Sequence, residues 1–280
     1  MEQLHQPLPH AAPGPDGPAG HVSAARQRAA ALAPLAVRLL DRAVPRFRRI
    51  ARDNLRKAGY PNPDPIIDGV FRSITRIIQT FADFPKINAA NVHRWIHYDG
   101  LENFTTAHAK GRGVLVATAH LGNWELSAFT HAIMTAPMHI VVRPLDNPRL
   151  NAFVEHRRAL TGNPIIKKKE AARGILNALK AGDSVGILID QNASREEGIF
   201  IDFFGRKASA NAAFVKFAHK TGAAVVPGFA LWNETEGRYV LRFLPEVPMS
   251  GDVQEDTQRV HAVLESVIRE YPDQWLWIHR

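Results

Sequence analysis

From residue 114 to residue 230 short apolar runs alternate with longer amphipathic stretches, and no other feature of this 280-residue chain limits its fold so tightly. The runs Val114–Thr118, His139–Val142, Pro164–Ile166, Val185–Ile189 and Ala223–Ala230 are of strand length. Between them, Leu121–Met134, Pro148–Leu160, Ala171–Lys180 and Ala208–Lys220 carry apolar residues at helical spacing. Continuously apolar strands separated by helices build a mostly parallel sheet covered on both faces. A further strand, Tyr239–Leu244, follows the turn Glu234–Gly237, and Asp252–Tyr271 reads as a closing helix. The expected fold is α/β: a single domain with a central, mostly parallel (mixed) sheet flanked by helices, preceded by N-terminal amphipathic helices.

Charge divides the chain further. Lys and Arg number 35 against 27 Asp and Glu, a net +8. Residues 26–57 alone hold ten basic and two acidic residues, so the remainder is balanced. This basic segment also carries Leu32, Leu35, Leu39, Leu40, Phe47, Ile50 and Leu55 near a 3.6-residue period, interrupted by Pro34 and Pro45. Its longest uninterrupted apolar stretch, Ala29–Val37, is far short of the roughly 20 residues a spanning helix needs. An amphipathic helix lying on an anionic membrane surface fits the pattern, beside the plainer reading of a surface helix packed on the domain. A nucleic-acid-binding arm fits poorly, because aliphatic rather than aromatic residues are interleaved with the arginines. The expected organisation is a flexible, Pro- and Gly-rich tail over 1–24, the basic membrane-associating segment over 25–59, and a catalytic domain over 60–280. A second apolar helix follows Pro61–Pro65 and reads as a packing element.

The chain has no cysteine, which excludes a thiolate nucleophile, disulfides and Cys-ligated metal. Neither a phosphate-binding glycine loop nor a G-x-S-x-G elbow is present. The strongest site candidate is Ala119–Glu125 (AHLGNWE), directly after the first strand, because ligands of open parallel sheets bind beyond the carboxyl ends of strands. Within one helix His120 and Glu125 would not share a face. With His120 in the turn and Glu125 one turn into the helix, the carboxylate can reach back to the imidazole and leave its other nitrogen as a general base. On spacing alone, a structural or metal-binding histidine stays open.

HLGNWE, followed by VVRPLDNP (Val141–Pro148), ILIDQN (Ile187–Asn192), IDFFGRKA (Ile201–Ala208), TGAAVVPGF (Thr221–Phe229) and QWLWIHR (Gln274–Arg280), resembles the late acyltransferases of lipid A biosynthesis, within the His-x4-acid glycerolipid acyltransferases. The resemblance implies transfer of a fatty acyl group from acyl carrier protein to a hydroxyl of a phosphorylated glycolipid, without cofactor or metal, at the cytoplasmic face of an inner membrane. It implies His120 as the base and Glu125 as its orienting partner. Asn123 is expected as a hydrogen-bond donor near the site, and Trp124 as packing or lipid contact. Arg143 is expected to hold a phosphate or the developing oxyanion, and Asp190 and Gln191 to contact the acceptor. Phe203, Phe204 and Gly205 are expected as a turn lining the acyl channel, with Arg206 and Lys207 as phosphate ligands. Lys167, Lys168 and Lys169 are either solvated charge or a docking point for the acidic carrier protein. A mannosylated phosphoinositide or an aminolipid is an alternative acceptor, and the F-x-E-G-T-R block of glycerophospholipid acyltransferases is absent.

Overall fold

The computed structural model describes residues 45–167, 171–194 and 198–279. The expected tail and the first half of the basic segment lie outside the described residues, as do Lys168 and Lys169.

The apolar runs form the expected strands. In chain order the elements are α1 (Pro45–Lys57), α2 (Asp64–Asp83), β1 (Ile96–Asp99), α3 (Leu101–His108), β2 (Val114–Thr118), α4 (Trp124–Met134), β3 (His139–Val142), α5 (Pro148–Ala159), β4 (Ile165–Lys167), α6 (Ala171–Lys180) and β5 (Ser184–Leu188). They continue with β6 (Gly198–Phe203), β7 (Arg206–Asn211), α7 (Ala213–Thr221), β8 (Ala224–Asn233), β9 (Arg238–Phe243) and α8 (Val253–Glu270). Seven strands make one sheet in the order β1-β9-β8-β2-β5-β3-β4. Only β8 and β9 pair antiparallel within it, so the sheet is mixed, as expected.

Strand β2 shows how the sequence makes the layers. Successive side chains point to opposite faces, and both faces of β2 are buried. Leu115 and Ala117 join a cluster with α6, α7 and α8, whereas Val114 and Val116 join a second cluster with α3 and α4. A strand buried on both sides has no polar alternation, which is why it reads as a solid apolar run.

Two expectations change. Residues 208–211 are not the start of a helix: Arg206–Asn211 is strand β7, paired antiparallel with β6 in a separate hairpin, and the helix begins at Ala213. The Ala-rich sequence favours helix, but pairing with β6 overrides propensity. The second change concerns α1. Its apolar residues Ile50, Ala51 and Leu55 are buried, with Ala51 and Leu55 inside the protein's own core. Arg48 pairs with Asp68 at 2.6 Å and Arg52 with Asp64 at 2.7 Å, both acids on α2. Over residues 45–57, therefore, the apolar face expected to lie on a membrane faces the domain instead. Among the described residues no helix is long and apolar enough to cross a membrane.

Candidate active site

The parallel register of β2 and β5 pairs Thr118 with Leu188. Two residues beyond each stand His120 and Asp190, so the register carries these two side chains to the same place at the carboxyl edge of the sheet. His120 Nδ1 lies 2.9 Å from Asp190 Oδ1, and the His120 backbone N–H donates to Asp190 Oδ2 at 2.9 Å. The second donor to Oδ2 is the indole Nε1 of Trp275, also at 2.9 Å. Burial alone would raise the pKa of this carboxylate, whose side chain is 2% exposed. The bonds from His120 and Trp275 and the attraction of the imidazole outweigh burial and hold it below the ordinary value.

The turn after His120 is fixed by close backbone approach. Gly122 has φ +62°, and a Cβ there would sit 2.0 Å from the Ala230 carbonyl oxygen of β8, a neighbour that cannot yield. The C-terminal segment straps this turn down. Gly122 N–H donates to the Gln274 carbonyl, and Leu276 N–H donates to the His120 carbonyl, each at 3.0 Å. Asn54 of α1 donates to the carbonyls of Trp277 and His279 from the other side. His279 places its ring 5.6 Å from that of His120. Burial and the neighbouring imidazole push the His279 pKa down, partly offset by Asp190.

A cleft of about 780 Å³ opens over His120. With Nδ1 committed to Asp190, Nε2 is the ring nitrogen left without a protein partner. The cleft lining includes the polar side chains of His120, Glu125, Arg143, Arg158, Gln191 and Asn192. It also includes the apolar side chains of Phe84, Phe129, Met138, Ile140, Ile175 and Phe217. Trp124 meets the His120 ring edge-on at 5.0 Å and also lines the cleft.

Several expected roles move. Glu125 lines the cleft but does not orient His120: its carboxylate is taken in a bidentate pair by Arg158 at the end of α5, at 2.5 and 2.8 Å. The first turn of α4 aims Glu125 at α5, and the imidazole already has Asp190. Asp190 in turn lies behind the ring and off the cleft wall, whereas Gln191, its exposed neighbour, lines the cleft. Asn123 is fully buried and caps α4, accepting from Leu126 N–H at 3.0 Å, so it is part of the scaffold.

Phe203–Gly205 does form a turn, between β6 and β7, with φ +52° at Phe204 and +69° at Gly205. It does not line the cleft. Phe204 is buried against Trp275 and Trp277 with the Arg269 guanidinium 4.5 Å over its ring, and Phe203 packs on Phe204 and Trp275. This aromatic packing, with a bond from Phe204 N–H to Glu265, holds a non-glycine residue in a left-handed conformation. Arg206 and Lys207 stand exposed on the hairpin, Lys207 paired with Asp202 at 3.0 Å, and neither reaches the cleft. Arg143 is exposed on the cleft wall, where it was expected. Sequence reasoning missed Arg158 and Trp275. The signal for the second was the QW of the terminal motif: Gln274 bonds the Trp232 backbone of β8 through its side chain, which brings Trp275 beside the turn after β2. Among the described residues no three His, Asp or Glu side chains are grouped to hold a metal ion.

The family profile of the bacterial lipid A biosynthesis acyltransferases matches residues 25–280, nearly the whole chain. The chain belongs to this family. A lipid A biosynthesis acyltransferase of Haemophilus influenzae is 22% identical over 217 residues, 77% of this chain and 68% of its own. A lipid A biosynthesis palmitoleoyltransferase of Escherichia coli is 30% identical over 196 residues, 68% of this chain. The match spans 62% of that enzyme, somewhat under two thirds of its length. A phosphatidylinositol mannoside acyltransferase of Mycolicibacterium smegmatis is 26% identical over 236 residues, 81% of this chain and 76% of its own. Glycolipid acyl transfer is thus the shared activity of the family, and three of the segments that carry the resemblance, HLGNWE, ILIDQN and QWLWIHR, meet where His120 and Trp275 bond Asp190.

Proposed function

We propose that this protein transfers a fatty acyl group from acyl carrier protein to a hydroxyl of a phosphorylated glycolipid of the lipid A precursor type, with His120 as general base. The observation that carries the reading is an imidazole with one nitrogen bound to a buried, ionised carboxylate and the other open to a cleft that is both apolar and cationic. His120 Nε2 accepts the proton of the acceptor hydroxyl as its oxygen attacks the thioester carbonyl. Asp190 holds the ring in the tautomer with the proton on Nδ1 and stabilises the imidazolium that forms. The Arg143 guanidinium on the cleft wall meets the developing oxyanion. Collapse of the tetrahedral intermediate expels the thiolate of the carrier, which takes the proton back from Nε2. Without cysteine or a serine elbow the transfer is direct, with no acyl-enzyme.

The apolar side chains of the cleft take the acyl chain, and Arg143 and Gln191 face the acceptor's polar head. This reading sets the protein at the cytoplasmic face of an inner membrane, and the lipid character of the acceptor supports membrane contact. A mannosylated phosphoinositide acceptor is the second reading, favoured by the length over which the Mycolicibacterium smegmatis relative matches. Incubation of the purified protein with acyl carrier protein thioesters and each acceptor, followed by mass spectrometry, distinguishes the two. A mass increase of one acyl group on the lipid A precursor supports the first reading, and acylation of the mannoside alone replaces it. The His120→Ala variant, folded by circular dichroism, loses activity on the order of 10³-fold or more; unchanged transfer contradicts the mechanism.

A further inference from the structure

Helix α5 is unusual: none of its 12 residues is buried. A helix in a folded domain normally hides one face. Here Leu150, Phe153 and Leu160 are 51%, 45% and 44% exposed, and Leu145 in the preceding loop is 42% exposed. Positions 150, 153, 157 and 160 fall on one stripe of a helix with 3.6 residues per turn. Ile78 of α2 is 61% exposed, and its neighbour Phe81 meets the Phe153 ring at 6.2 Å, which extends the stripe onto a second helix. Of the seven large apolar side chains exposed among the described residues, five are in this patch. Scattered exposed apolar residues need no explanation, but a contiguous patch marks a partner.

Cations outnumber acids beside the patch, where Asp146 and Glu155 are the acids of the β3–α5 loop and α5. Arg143, Arg149 and Lys167 are exposed, Lys167 standing beside Val142 in the β3–β4 register next to Arg143. Arg157 lies over the Phe153 ring at 5.0 Å and ties α5 to the Ala82 carbonyl of α2. The patch also adjoins the cleft mouth, since Arg143 and Leu145 belong to both and Arg158 at the end of α5 faces Glu125 inside.

We propose that the outer face of α5 with the β3–α5 loop and Ile78 docks on an anionic lipid surface and so brings the cleft mouth to the lipid-borne acceptor. The combination of aliphatic and aromatic side chains for insertion and arginines for phosphate headgroups matches an interfacial helix. It takes the place of α1, whose apolar face is spent on the core. The proposal rests on the acyltransferase reading for its purpose, while its test does not depend on catalysis.

The absence of cysteine allows a single label. Full-length Phe153→Cys, carrying an environment-sensitive fluorophore, is mixed with vesicles of phosphatidylcholine and phosphatidylglycerol, and Arg112→Cys at the opposite edge of the sheet is the control. Emission from position 153 rises about twofold or more and shifts to the blue with anionic vesicles, while the label at 112 does not change. A label at 153 that is unmoved by vesicles overturns the proposal. So does one already in an apolar setting without them, which places residues 1–44 or another copy of the chain on the patch, and so does a response to acyl carrier protein alone. Independently, Leu150→Ser with Phe153→Ser weakens vesicle sedimentation at least about tenfold and leaves turnover of a detergent-solubilised acceptor unchanged. Loss of vesicle binding with no acyl transfer by the wild type retains the docking face and rejects the acyltransferase reading.

Discussion

Among the described residues two buried aspartates each hold a histidine, and their surroundings differ. Asp256 on α8 lies 2.7 Å from His219 Nε2, much as Asp190 lies 2.9 Å from His120 Nδ1. Around Asp256 every position is taken: Ser250 and Gly251 donate backbone N–H groups, the Ser250 hydroxyl adds a bond, and Arg259 pairs at 2.9 Å. Its charge is balanced by a permanent cation, and the pair closes the corner between β9 and α8. Asp190 has two neutral donors besides the imidazole, and among the described residues no arginine or lysine reaches it. Its negative charge is left for whatever positive charge the His120 ring acquires. In the proposed mechanism the buried Asp–His pair that serves catalysis is the one whose ring has its second nitrogen at a cleft and whose carboxylate has no fixed cation of its own.

Substitutions test that contrast. Asp190→Asn keeps the shape but lets the amide N–H face Nδ1, favouring the wrong tautomer, so kcat falls on the order of 10²–10⁴-fold. Glu125→Gln breaks only the pair with Arg158, and the expected effect is a several-fold rise in KM with a smaller change in kcat. If steady-state kinetics gave the reverse order, Glu125 and not Asp190 would be the partner of the base. Trp275→Phe preserves the aromatic packing and removes one donor from Asp190. A loss of about tenfold in kcat is expected, equivalent to one hydrogen bond. In an Asp190→Asn background the same change should cost little more, and additive losses would show that Trp275 acts by another route.

The smallest effect on activity belongs to Asp256→Asn, which should leave turnover unchanged and lower Tm by roughly 5–10 °C at neutral pH. Burial alone would raise the Asp256 pKa, but its donors bring it down to about 2. A depressed carboxylate stabilises the fold above its unfolded-state pKa and loses that contribution as pH falls toward the folded value. The Tm gap between wild type and Asp256→Asn should therefore be constant above about pH 5 and narrow as pH falls toward 3. A gap that widened on acidification would contradict the assignment.

The strands and the position of His120 were legible because apolar runs buried on both faces leave a clear trace and the carboxyl edge of a parallel sheet is where such a residue acts. Asp190 was legible as a residue at the same edge. Its pairing with His120 was not, since it depends on the register of two strands 70 residues apart, and the nearer Glu125 supplied a local alternative. Phe204 and Gly205 were legible as a turn but not by what they touch, because the aromatic residues that receive Phe204 lie at the far C-terminus. The amphipathic character of α1 was equally plain. Sequence periodicity marks an apolar face without saying whether lipid or the chain's own core covers it.

The central claim, that Asp190 rather than Glu125 holds the base, is tested most directly by nitrogen-15 NMR of the His120 ring. In the wild type the proton on Nδ1 should give a strongly downfield resonance, retained in Glu125→Gln and lost in Asp190→Asn. A resonance that survives Asp190→Asn and disappears in Glu125→Gln would contradict the account.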